Sequence, residues 1–128
     1  MESQTTSSWP TPSRVPLKRV LIIEDHEDMR EALVEILSLE GYQVSAAGDG
    51  EKALGEARSR RPDIILLDLM MPVMNGWQFR TEQLKDPNLA SVPVIVMSAF
   101  ASDIDAAALL PKPFLMEDML EAVRRLAA

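Results

Sequence analysis

The chain has 128 residues, 47% of them apolar, which suits one domain built around one core. Against 13 basic side chains stand 20 acidic ones, net −7, which argues against a nucleic-acid backbone or an anionic membrane surface as a direct partner. There is no cysteine, so disulfides and thiolate metal sites are excluded, and no apolar run approaches the roughly 20 residues of a membrane span.

In chain order, residues 1–17, MESQTTSSWPTPSRVPL, are rich in Ser, Thr and Pro, lack apolar periodicity, and read as a mobile tail with Trp9 an incidental aromatic. No apolar h-region of a signal peptide is present there, and the expected setting is the cytoplasm. KRVLIIE (18–24) predicts a first strand. DMREALVEILSLEG (28–41) predicts a helix with Met29, Ala32, Leu33, Ile36 and Leu37 on one face. Asp28 is its expected N-cap, with Glu31 completing a capping box and Gly41 as the stop. YQVSAA (42–47) is the second strand. Asp49 caps a helix over about 50–60 whose apolar face is Ala53, Leu54 and Ala57.

Residues 63–68 are the third strand, an aliphatic run that reads as buried on both faces. VMNGWQFRTEQLKD (73–86) gives the third helix, capped by Asn75. VPVIVMSA (92–99) is the fourth strand, with Pro93 where a strand tolerates it. A fifth strand, ALL, runs into Lys112, and a last helix over about 115–127 carries Met116, Met119, Leu120 and Val123 on one face. Strands that alternate with helices mean a doubly wound parallel α/β sheet of five strands, with ligands bound outside the C-terminal ends of the strands.

Those ends hold the polar residues. Strand one ends in Glu24-Asp25, strand three in Asp68, strand four in Ser98, and strand five leads to Lys112. Three carboxylates brought together repel one another and ask for a divalent cation. Oxygen ligands with room for water suit Mg2+ or Mn2+. A carboxylate beside a cation, an ammonium and a hydroxyl can attack phosphorus and form an acyl phosphate. Lys112 and Ser98 would then bind the phosphoryl oxygens. His26, the only histidine, reads as a polar loop residue, and Met70, Met71 and Met74 read as packing residues.

Four stretches in order, VLIIEDHEDMRE, DIILLDLMMPVMNGW, VPVIVMSA and PKPF, make the chain from about 18 to 128 resemble the receiver domain of two-component response regulators, within the chemotaxis-regulator-like superfamily. The resemblance implies the flavodoxin-like strand order 2-1-3-4-5. It implies that Asp68 is the phosphoacceptor, fed by a phosphohistidine on a sensor histidine kinase or phosphotransfer protein. Glu24, Asp25, Asp68 and the backbone carbonyl of Met70 would hold Mg2+. Ser98, Ala99 and Lys112 would bind the phosphoryl group and act as the switch, and Pro113 would follow a cis bond.

The expected protein is stand-alone, with no output domain after residue 128, signals to a downstream protein, binds neither nucleic acid nor membrane, is a monomer or weak homodimer, and is no enzyme beyond its own phosphoryl transfer and dephosphorylation. The chain departs from the pattern twice. Leu109 stands where an aromatic residue is common, and it reads as ordinary strand-five core. Only residues 101–108 separate Phe100 from Leu109, short of the ~10–12 that a helical crossover needs. Helix four, between strands four and five, is therefore expected to be shortened or missing, and the segment 99–108 to be mobile without phosphate.

Two other functions compete. One is a binding module of the same fold that works without phosphate. The other is a haloacid-dehalogenase-like Mg2+-dependent phosphohydrolase, which Met70 opposes because the Asp-x-Asp general acid is missing.

Overall fold

Every strand expected from the apolar runs pairs in parallel with its neighbours. The computed structural model describes residues 18–99 and 104–127; the expectations for residues 1–17 lie outside these. The order of elements is β1 (Arg19–Ile23), α1 (Glu27–Leu39), β2 (Gln43–Ala47), α2 (Gly50–Ser59), β3 (Ile64–Asp68), α3 (Gly76–Lys85), β4 (Val94–Ser98), β5 (Ala108–Pro111) and α4 (Met116–Ala127). The sheet order is β2-β1-β3-β4-β5, as expected.

β3 lies in the middle and is apolar throughout until Asp68 because both its faces are covered. Ile65 and Leu67 pack on the side of α2 and α3, with Ala53, Ala57 and Phe79. Ile64 and Leu66 pack on the side of α1 and α4, with Leu33, Leu37, Met119 and Val123. Each such fully buried side chain contributes about 1.5–3 kcal/mol. Together they fix the register that carries Asp68 to the C-terminal end of the central strand. No helix among the described residues is long and apolar enough to cross a membrane.

The caps set where the site-bearing loops begin. Asp49 caps α2 by accepting from Lys52 N–H at 2.8 Å. Asn75 caps α3 in a full capping box with Gln78, both bonds 2.9 Å. Helix α1 ends in a Schellman turn. Gly41 adopts φ +97° while its N–H bonds Ser38 O and that of Tyr42 bonds Leu37 O.

Three expectations are corrected. Asp28 does not cap α1. The N-cap is His26, whose side chain makes no capping bond, and Glu27 and Asp28 lie in the first turn near the positive end of the helix dipole. The turn closes early because Glu24 Oε2 accepts the N–H of His26 at 3.2 Å. Leu109 is not core: it is 50% exposed, and Leu110 is the buried residue of β5. β5 is an edge strand, and period-2 alternation sends Leu109 to the opposite face. Met70 is not a packing residue either, being 55% exposed, whereas Met71 and Met74 do pack on the core.

The described part of the β4–β5 crossover, residues 104–107, contains no helix, in keeping with a shortened or missing helix four. Of the segment 99–108 expected to be mobile, residues 100–103 lie outside the described residues, and the rest has these contacts. Ile104 and Ala106 pack on the α2/α3 side, Ala107 N–H bonds Val94 O at 2.9 Å, and Arg80 Nε donates to Asp105 O at 3.0 Å.

Candidate functional site

Glu24 follows β1 directly, and its N–H continues the sheet by bonding Ala47 O at 3.0 Å. Its side chain is fully buried. Asp25 is half-buried beside it. Arg30, one turn into α1, donates from Nη1 to the carbonyls of Glu24 (3.0 Å) and Asp25 (3.4 Å) and so fixes the acidic loop.

Asp68 ends β3 and is 4% exposed. Its Oδ1 accepts the Met70 N–H at 3.3 Å. Gly76 makes the approach of α3 possible. A Cβ there would lie 2.6 Å from the Asp68 carbonyl oxygen and 2.7 Å from Leu69 Cα, which no side chain tolerates.

Lys112 leaves β5 with its N–H on Ser98 O at 2.8 Å, and the Lys112–Pro113 bond is cis. Its Nζ stands 2.7 Å from Glu24 Oε1 and 3.8 Å from Asp68 Oδ2. Ser98 is buried at the C-terminal end of β4, while Ala99 beyond it is exposed. Glu24, Asp25, Asp68 and Lys112, scattered over 89 positions of the sequence, thus converge on one end of the sheet, with Ser98 and Ala99 on the adjacent strand end and loop.

The electrostatics follow from burial. Asp68 is pushed up to about 7 by desolvation and then by the charge of Glu24, against which Lys112 and the Met70 N–H pull it down. Glu24 is desolvated too. Yet its bonds to Lys112 and to the N–H of His26 outweigh burial and hold it below the ordinary carboxylate range.

A divalent cation fits this set. Ligand atoms from Glu24, Asp25, His26 and Asp68 lie within 4.8 Å of one another. Among the described residues, Asp25 Oδ1 is the buried side-chain atom without a hydrogen-bond partner. A hard cation among oxygens would satisfy it. His26 is the exposed loop residue that the sequence suggests, with its ring beside Glu24 and Asp25. Sequence reasoning missed Arg30, whose role depends on carbonyl directions that no residue pattern reveals.

The family model described as "Response regulator receiver domain" matches residues 20–124. The chain belongs to this family. Among curated relatives, Response regulator MprA of Mycolicibacterium vanbaalenii is 38% identical over 116 residues, covering 84% of this chain and 49% of the relative. MprA of Mycobacterium tuberculosis is 38% identical, covering 84% and 50%. The chain therefore spans about half the length of the curated relatives it matches.

Among solved structures, chemotaxis response regulator CheY4 of Vibrio cholerae superposes with a TM-score of 0.81 at 28% identity, covering 87% of this chain and 99% of that one. Response regulator TrrA of Thermotoga maritima, solved in complex with Mg2+-BeF, gives 0.77 at 31% identity, covering 86% and 99%. Receiver domains of two-component systems bind Mg2+ and interact with histidine kinases or phosphotransfer proteins. The acidic end of the sheet is where this receiver domain concentrates groups suited to such an ion.

Proposed function

We propose that this receiver domain accepts a phosphoryl group on Asp68 from a phosphohistidine of a sensor histidine kinase or phosphotransfer protein, in the cytoplasm, and passes the signal to a downstream protein. The observation that carries this reading is the Asp68 carboxylate, 4% exposed at the end of the central strand, with the Lys112 ammonium 3.8 Å away. An ionised carboxylate oxygen of Asp68 attacks phosphorus. The O–P bond forms as the donor's P–N bond breaks, and the imidazole leaves with the electron pair. Lys112, the Ser98 hydroxyl and the Ala99 N–H bind the phosphoryl oxygens as charge shifts onto them.

Asp25, Glu24, Asp68 and the Met70 carbonyl would hold Mg2+. When bound, it neutralises charge on the carboxylates and the phosphoryl group. Arg30 keeps the acidic loop in place, and the N–H of Met70 orients Asp68. The family does not require the chain to be an enzyme for other substrates, and Met70 in place of a second acidic residue fits that.

The experiment is incubation of the protein with acetyl phosphate and Mg2+, read by intact mass. One added phosphoryl group that EDTA prevents is expected. No adduct under any divalent cation would favour the second reading, a phosphate-independent binding module. The non-helical residues 104–107 of the crossover speak for that alternative.

A further inference from the structure

We propose that His26 supplies an imidazole nitrogen to the cation site, which raises its affinity for first-row transition ions, the later ones most, relative to Mg2+. The inference rests on the metal site of the receiver reading and concerns a residue that reading does not use. His26 Nδ1 lies 3.2 Å from Glu24 Oε2 and 3.5 Å from Asp25 Oδ1.

The second is no hydrogen bond at all, and the first is a hydrogen bond longer than the roughly 2.7–2.9 Å of a charged N–H to carboxylate bond. The Lys112–Glu24 contact in the same cluster, 2.7 Å, is such a bond. The two His26 distances also suit neighbouring corners of one coordination sphere. Ligands about 2.1 Å from a six-coordinate ion stand about 3.0 Å apart along an edge and about 4.2 Å apart across it. The group of four ligand atoms, all within 4.8 Å of one another, needs only a small contraction to meet that geometry.

Asp25 Oδ1 is the telling neighbour. It is buried, has His26 Nδ1 at 3.5 Å, and still makes no hydrogen bond. A shared ion between the two would satisfy both. The His26 side chain is 76% exposed, which leaves the remaining corners open to water. Neutral imidazole is a borderline ligand that suits the later first-row ions best, and among first-row ions Mn2+ is the weakest binder and shares with Mg2+ a preference for oxygen.

The test is electron spin-echo modulation of Mn2+ bound to the full chain, with competition by Mg2+. Nitrogen-14 coupling is expected in the wild type and absent in His26→Gln and His26→Asn. The ratio of Mn2+ to Mg2+ affinity should fall about tenfold or more in both variants. Mn2+ that is lost in Asp25→Ala but shows no nitrogen coupling in the wild type would overturn the role of His26 and leave the receiver site standing. Failure to bind Mn2+, or binding indifferent to Asp25→Ala, would overturn both.

Discussion

Lys112 and Glu24, 88 residues apart in the chain, meet at 2.7 Å with the Glu24 side chain fully buried. The pair joins the loop after β5 to the loop after β1 across the end of the sheet. Removing one partner of a buried ion pair leaves the other charge stranded, which costs about 3–5 kcal/mol. The Lys112 side chain is 20% exposed, so about 2–4 kcal/mol is expected for Lys112→Ala. Urea unfolding of the metal-free protein checks this. Adding Glu24→Gln to Lys112→Ala should restore most of the loss, because a neutral amide needs no counter-charge.

Stability of the metal-free protein should fall as pH rises from about 4 to 7. Asp68 goes from an ordinary value of 3.8 to about 7 on folding. Between those values the folded state holds the proton and the unfolded state does not, so the group favours folding at the low end and the gain is lost as pH climbs. Glu24, shifted the other way, acts below its ordinary 4.5 and does not fill that window. Asp68→Asn should flatten the slope and stabilise the metal-free protein by about 1–3 kcal/mol at pH 7.5. Mg2+ should restore wild-type stability at that pH and do little for the variant. Thermal unfolding across pH, with and without Mg2+, decides it.

Val73 sits in the loop between β3 and α3 with φ +66°, a left-handed conformation that a β-branched residue adopts at a cost. It is 75% exposed, so little packing is lost on replacing it. Val73→Asn should raise stability by about 1 kcal/mol. Gly76→Ala, three residues on, should do the reverse by several kcal/mol and displace Asp68, because its Cβ has no room. Denaturant midpoints of the two variants should therefore move in opposite directions.

Much of this was legible in the sequence because two periodicities and the strand ends carry it. Aliphatic runs gave the five strands, and the site residues are those at which the runs stop. What escaped depends on three-dimensional directions. Asp28 has the right residue type for a cap, but the turn that Glu24 makes onto the N–H of His26 starts the helix earlier. Leu109 looks like core in composition, yet it lies on the uncovered side of an edge strand. His26 alone says nothing until the fold puts its ring against Glu24 and Asp25.

Phosphorylation of Asp68 itself is the most direct measurement. Wild type, Asp68→Asn and Asp25→Ala are treated with acetyl phosphate and Mg2+, compared by intact mass, and the modified residue is located in peptides. One phosphoryl group on Asp68 is expected in the wild type, with none in Asp68→Asn and a much reduced yield in Asp25→Ala. An adduct of equal yield on Asp68→Asn, or one located on another residue of the wild type, would contradict the assignment.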